Sequence, residues 1–322
     1  MSPSDISPTT SRLTRAERWD HFQARWAIRR GQHRVQPGLY ALGRAGADSP
    51  VFVTANYTLS FDALRCALQN RDAYILVLDT QGINVWCAAG KGTFGTEELV
   101  RRVEACGLAT VVRGRVLILP QLGAPGVAAQ EVRRRTGFRV EYGPVRAEDL
   151  GVYLDTHHAT PEMRQARFNL RDRLVLIPVE FVHVILPLIA AAGLLYFLGG
   201  WLLALACALA VLAGAVLFPL LLPWLPFADF SVKGFLLGLA LMLPFGLAAC
   251  ARQDWLQAAA VLVGLPPVTA FLALNFTGST PYTSRSGVRR EISAYTVWMA
   301  LLFGVGIVLL LGAGWLRWTG RA

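Results

Sequence analysis

The chain has 322 residues, 54% of them hydrophobic, and a formal net charge of +10, with a mean hydropathy of +0.43, which is too apolar for one ordinary soluble domain. Its five cysteines, at 66, 87, 106, 207 and 250, form no C-x-x-C pair, which argues against a disulfide framework, a structural zinc site and an iron–sulfur cluster built within this chain. The excess arginines are scattered and several flank apolar runs, a pattern that points to a membrane and away from nucleic acid.

Residues 1–36 are polar and Arg-rich, lack the apolar core of a signal peptide, and read as an N-terminal extension of a domain that stays in the cytoplasm. Residues 37–155 then alternate in the α/β manner. Val51–Ala55 is a short apolar strand, and Phe61–Gln69 a helix with Ser60 as N-cap. Ala73–Asp79 has the continuous apolar run of a buried parallel strand. Thr96–Cys106 reads as a helix capped by Thr96 and ended by Gly107, Val111–Leu119 as a strand, Gly126–Thr136 as a helix and Phe138–Tyr142 as a strand. The pattern predicts an α/β fold with a Rossmann-like doubly wound sheet, and residues 40–155 are expected to fold alone. Ligands of such sheets bind beyond the carboxyl ends of the strands. That rule points to Thr54–Tyr57, Thr80–Lys91, Pro120–Gln121 and Gly143–Pro144.

One of these segments carries chemistry: Thr80-Gln-Gly-Ile-Asn-Val-Trp-Cys-Ala-Ala-Gly-Lys-Gly-Thr-Phe-Gly95. Asn84 can cap a short helix over Val85–Gly90. Cys87 would sit in its first turn, where the helix dipole favours thiolate. Gly90, Gly92 and Gly95 permit close backbone approach, and Lys91 is one of two lysines in the chain. Three readings of Cys87 stay open on chemistry alone: a buried structural residue, a nucleophile, or a soft ligand to a metal or cofactor. The glycines fit neither a dinucleotide nor a Walker loop.

Residues 156–173 read as a linker and 174–318 as an all-α transmembrane domain of about five helices: 175–198, 201–222, 232–250, 256–275 and 295–316. Prolines 178, 187, 219, 244, 266 and 267 are tolerable in a bundle of such helices. Arg164, Arg167, Arg171 and Arg173 precede the first span, Lys233 follows the second, and Arg285, Arg289 and Arg290 follow the fourth. The opposite loops offer Arg252, with Arg317 and Arg321 at the end, so the N-terminus is expected inside and the C-terminus outside. Glu180 and His183, one turn apart, are intramembrane ionisable residues, either an interfacial pair or a functional one. The hydroxyl-rich run Asn275-Phe-Thr-Gly-Ser-Thr-Pro-Tyr-Thr-Ser284 reads as a turn or as a docking surface.

Asn84-Val-Trp-Cys-Ala-Ala-Gly-Lys91 resembles the signature of the mercury-methylating corrinoid proteins, the HgcA family, themselves related to the corrinoid iron–sulfur protein of acetyl-CoA synthesis. Pro37-Gly-Leu-Tyr-Ala-Leu42, Val53-Thr-Ala-Asn-Tyr57, Gly92-Thr-Phe-Gly-Thr-Glu-Glu98 and Asn275-Phe-Thr-Gly278 resemble that family too, as does the five-span tail, over about residues 37–318. The resemblance implies a cobalamin or related corrinoid, with Cys87 as lower axial ligand to its cobalt. It implies a cofactor surface of Thr54, Asn56, Thr80, Asn84, Val85, Trp86, Cys87, Ala88, Ala89, Gly90, Lys91, Gly92, Thr93, Pro120 and Gln121. It also implies methyl transfer from a methyltetrahydrofolate-type donor to inorganic Hg(II). A strongly donating thiolate suits release of the methyl group to a soft cation. Renewing the cobalt takes low-potential electrons. The family's partner for that step is a small ferredoxin with two iron–sulfur clusters, HgcB. Asp155-Thr-His157-His-Ala-Thr160 is a near miss to the D-x-H-x-x-G motif of other corrinoid proteins, with Thr160 where the glycine belongs, and reads as linker.

Overall fold

A computed structural model describes residues 6–320 and divides the chain into two units, one ending at Arg167 and one starting at Phe168.

The first unit contains, in order, β1 (Ser7–Thr9), α1 (Arg15–Arg25), β2 (Gly38–Leu42), β3 (Val51–Ala55), α2 (Thr58–Ala67), β4 (Ala73–Leu78), α3 (Val85–Lys91), α4 (Thr96–Ala105), α5 (Leu108–Val111), β5 (Val116–Leu119), α6 (Ala129–Thr136), β6 (Arg139–Tyr142) and α7 (Leu150–Thr156). The six-stranded sheet has the order β1-β2-β4-β3-β5-β6. The run β4-β3-β5-β6 is parallel, and β2 is antiparallel to β4. Every residue of β4 is buried. Tyr74, Leu76 and Leu78 face the core shared with α3, α4 and α6. Ala73, Ile75 and Val77 face the core shared with α2 and α7. Burying an aliphatic side chain of this size stabilises by roughly 1.5–3 kcal/mol, so a strand buried on both faces anchors both layers. This is the doubly wound arrangement that the sequence predicts.

Residues 6–36 are no separate extension. β1 adds an edge strand beside β2, and α1 docks on α2 through charges. Glu17 Oε1 lies 2.6 Å from Arg65 Nη2, and His21 Nε2 lies 2.7 Å from Asp62 Oδ2. Arg65 also donates to Asp62 (2.6 Å) and to the Thr10 carbonyl (2.6 Å). Burial alone would raise the Glu17 carboxyl, but hydrogen bonds from Thr14 and the Arg65 guanidinium outweigh it and hold it below the usual carboxylate range. A fragment starting at residue 40 would remove β1, α1 and the start of β2. It would strip partners from Asp62 and Arg65, both buried, a costly loss for buried charges.

Three other boundaries move. α2 starts at Thr58 with Tyr57 as an N-cap that lends no side chain, so Ser60 caps nothing. Thr96 is the first residue of α4, after Gly95, and its hydroxyl accepts the Ala128 N–H at 2.8 Å. The predicted strand 111–119 contracts to β5 because Gly107, in the left-handed region, opens the turn of helix α5.

In the second unit, four stretches among the described residues are long and apolar enough to cross a membrane: Leu170–Leu221, Phe230–Ala251, Trp255–Ser279 and Ser286–Trp318. The sequence predicts five spans. The difference lies in the first stretch, whose 52 residues would reach about 78 Å as one straight helix. It is broken at Gly200, with φ 79° and ψ −175°. Leu188 before the break and Leu203, Ala206 and Ala210 after it share one core, so the arms 170–199 and 201–221 correspond to the first two predicted spans. α8 (Leu170–Leu212) continues through a π-helical turn (Ala213–Leu217) into α9 (Phe218–Leu221). α10 (Phe230–Ala251), α11 (Trp255–Gly264), α12 (Pro266–Asn275) and α13 (Arg285–Trp318) follow.

Small residues set the helix spacing here, as is common in membranes. A Cβ at Gly306 would stand 2.4 Å from Gly264 Cα, and one at Gly234 2.5 Å from Ala273 Cβ. Two buried charges cap helix ends. Arg173 donates to the Leu220 carbonyl at 2.5 Å, and Glu291 accepts from the N–H and hydroxyl of Ser231 at 3.0 Å each. The Ser279 hydroxyl lies 3.5 Å from Glu180 Oε1, which joins two segments singled out in the sequence. Arg289 and Arg290, expected in a loop, belong to the first turns of α13. Arg321 lies outside the described residues.

Candidate functional site

β3 leads into α2 on one face of the sheet, while β5 leads towards α6 on the other. Neighbouring strands whose connections part in this way leave a crevice at their carboxyl ends. A cavity of about 330 Å³ opens there. Its walls include Thr54 of β3, Ser60 and Leu64 of α2, Asn84, Val85 and Trp86 at the start of α3, Pro120 after β5, and the turn 143–147 after β6.

The β4–α3 loop is built on Asn56. Its buried Oδ1 accepts the N–H groups of Thr80 (3.0 Å) and Gly82 (2.9 Å) and lies 2.9 Å from Thr80 Oγ1. Thr80 Oγ1 also lies 2.7 Å from the Ile83 carbonyl, and with one proton it donates to one oxygen at a time. Asn84 then caps α3, its Oδ1 accepting the Cys87 N–H at 2.9 Å, which satisfies one of the donors that a helix start leaves open.

The other side of α3 rests on the turn Gln121–Gly126. A Cβ at Gly126 would stand 2.1 Å from the Phe94 carbonyl oxygen and 3.1 Å from Ala89 Cα. That turn presses on Ala89, which leaves no room for a larger side chain there. Gly92 ends α3 in the left-handed region (φ 85°), which glycine adopts without steric cost. A Cβ at Gly95 would meet the Gly92 carbonyl at 2.7 Å.

The residues expected at a cofactor therefore fall into groups. Thr54, Asn84, Val85, Trp86 and Pro120 line the cavity. Trp86 is exposed, and Cys87 and Gly90 are half-buried on the same helix. Asn56 and Thr80 are buried and organise the loop. Ala88 and Ala89 form the inner face of α3, in the core, so their side chains do not present a surface to a ligand. Lys91 and Gly92 are exposed and Thr93 is half-buried. Gln121 accepts from Arg164 at 2.7 Å. His157 is exposed at the end of α7, in the left-handed region, and the segment after it, read from sequence as linker, packs Ala159 and Met163 against the α2–α7 core. Among the described residues no cluster of three His, Cys, Asp or Glu side chains could hold a metal ion.

The sequence reading missed Ser60, Leu64, Arg146 and Leu150, which also line the cavity. Leu64 and Leu150 carry the apolar spacing of core residues and give no separate signal. Arg146 follows the flagged pair Gly143–Pro144 and was within reach of the strand-end rule.

Residues 28–154 match a family described as CO dehydrogenase/acetyl-CoA synthase delta subunit. The chain is 35% identical over 123 residues to the acetyl-CoA decarbonylase/synthase complex subunit gamma of Methanothermobacter thermautotrophicus, a match covering 38% of this chain and 26% of that protein. It is 29% identical over 122 residues to the corrinoid/iron-sulfur protein large subunit of Moorella thermoacetica, covering 37% and 27% respectively. The chain spans about a quarter of the length of these relatives. The matched stretch contains every residue that lines the cavity, so the likeness falls on the α/β unit and its candidate site.

Proposed function

We propose that the α/β unit binds a cobalamin or related corrinoid against α3, with Cys87 as the lower axial ligand to cobalt. We propose further that the chain moves a methyl group from a folate-type donor to inorganic Hg(II), giving methylmercury. The observation that carries this reading is the half-buried Cys87 on an Asn84-capped helix beside the crevice, within a stretch similar to a corrinoid/iron-sulfur protein large subunit. A bound corrinoid supplies a cobalt centre that can carry a methyl group.

The residues fit such a group. A lone thiol holds a free ion poorly, but a metal already held in a macrocycle needs only one axial donor, and soft thiolate suits it. The cavity, at about 330 Å³, lies at the small end of ligand pockets. Trp86, Cys87 and Gly90, on the outer side of α3, would hold the macrocycle, and the cavity beside them would take an apolar appendage of it. Asn56, Thr80 and Asn84 hold α3 in place, and Trp86 offers the ring a flat exposed face. A ferredoxin-like protein with two iron–sulfur clusters is the proposed electron donor.

A second reading is a membrane-bound corrinoid methyl carrier whose acceptor belongs to carbon metabolism, favoured by the likeness to subunits of CO dehydrogenase/acetyl-CoA synthase. Acceptor choice separates the two. The full chain loaded with a methyl-bearing corrinoid is expected to form methylmercury from Hg(II), in amount matching the bound cofactor. Methyl retention in the presence of Hg(II), with release to an acetyl-CoA synthase, would establish the second reading instead.

We place the protein in the cytoplasmic membrane with the α/β unit inside, on the Arg and Lys asymmetry of the connecting segments. Reporter fusions after residue 199 and at the C-terminus should then read outside. Fusions after 228 and 282 should read inside, the last chosen because α13 already begins at Arg285. An inside signal at the C-terminus would rule out this topology.

A further inference from the structure

α1 has two faces with different duties. Its only acidic residues, Glu17 and Asp20, turn inward: Glu17 to Arg65 at 2.6 Å and Asp20 to His33 at 2.7 Å. His21 joins them on that face, 2.7 Å from Asp62. The outer face carries Arg15, Trp19, Phe22 and, in the next turn, Trp26, at the three- and four-residue steps that share one side of a helix. Trp19 is 59% and Phe22 43% exposed. Their rings stack with centroids 5.1 Å apart, and Trp26 follows at 5.8 Å. Arg18 stands exposed beside this stripe, and Arg29 and Arg30 stand exposed in the turn that follows.

We propose that this face of α1 binds the surface of an anionic bilayer. A helix with aromatic rings on one side, bordered by arginines, fits the headgroup region: the rings enter the acyl boundary and the guanidinium groups meet lipid phosphates. Charge complementarity favours that occupant, because both acidic side chains of α1 are engaged on its inner face and the outer face is left basic. The chain also carries stretches long and apolar enough to cross a membrane, and their insertion would keep a bilayer at high effective concentration for this unit. The inference stands apart from the corrinoid reading, since it uses no residue of the candidate site.

The test uses the full chain in lipid nanodiscs, with hydrogen–deuterium exchange followed over residues 12–30. One set holds phosphatidylcholine alone, and a second holds about one third phosphatidylglycerol. Exchange in this segment should be about tenfold slower in the anionic discs, and the difference should shrink as salt is raised. The double variant Trp19→Glu, Phe22→Glu should remove the protection. Both positions are exposed, and unchanged exchange in β4 would certify that the fold survives. Equal exchange in the two lipids would overturn the proposal. So would protection that persists in both lipids but depends on protein concentration, which would assign the face to a second copy.

Discussion

Replacing Cys87 with Ala is expected to abolish methyl transfer and remove the sulfur-to-cobalt absorption signature, while corrinoid uptake changes by only a few fold. The substitution isolates the thiol. Alanine is the best helix former, so α3 loses no backbone support. The Asn84 cap engages the backbone N–H of residue 87, not its side chain, so the cap survives as well. Cavity walls and loop anchors lie at other positions. What disappears is the proposed axial donor, and the methyl side chain that replaces it has no atom able to bind a metal. A loss of at least about a thousandfold in transfer rate, or ~4 kcal/mol of barrier, exceeds the effect expected from a helix cap, which is worth about 1 kcal/mol. Absorption spectroscopy of the reconstituted chain reads the ligand directly. A Cys87→Ala spectrum identical to the parent's would remove the ligand assignment, whatever the activity.

Legibility in the sequence followed the kind of force involved. β4 was readable because burial on both faces leaves an unbroken apolar run. The Asn84 cap was readable because capping is local: residue 84 bonds residue 87. The crevice was readable because a strand-order rule places it. β1 and α1 were not: β1 is a short edge strand that pairs with distant β2, Ser7 opposite Tyr40, and α1 is held by ion pairs to Asp62 and Arg65, more than forty positions away in sequence. The role of Asn56 was hidden for the same reason: its partners, Thr80 and Gly82, lie across the sheet. Ala88 and Ala89 looked like ligand-facing small residues. Both belong to the core, and the smallness of Ala89 answers to Gly126 on a distant turn, which no local pattern encodes. The break at Gly200 was legible as a span boundary, because the pair Gly199-Gly200 interrupts the apolar run.

That glycine contact carries the second large effect. Gly126→Val is expected to weaken corrinoid binding by more than about tenfold by displacing α3, since each ~1.4 kcal/mol of strain placed on the binding geometry is a factor of ten. A Cβ at 126 would fall 2.1 Å from the Phe94 carbonyl oxygen and 3.1 Å from Ala89 Cα. Both are backbone atoms, so no side-chain rotation relieves the clash, and the segment from 89 to 94 must move. Overpacking of a tight site costs typically 1–3 kcal/mol, against a total stability of about 5–15 kcal/mol for a domain. The sheet should therefore remain folded while α3 shifts on it. Faster hydrogen exchange should be confined to residues 84–94, with β4 unchanged, and cobalamin titration should show the weakened binding. Gly114→Val is the matched control, because nothing lies within 4 Å of a Cβ there and the residue is exposed. If Gly126→Val binds cobalamin as the parent does while its 84–94 segment exchanges faster, the position of α3 does not govern the site. In that case the cofactor surface must be sought away from Trp86 and Cys87.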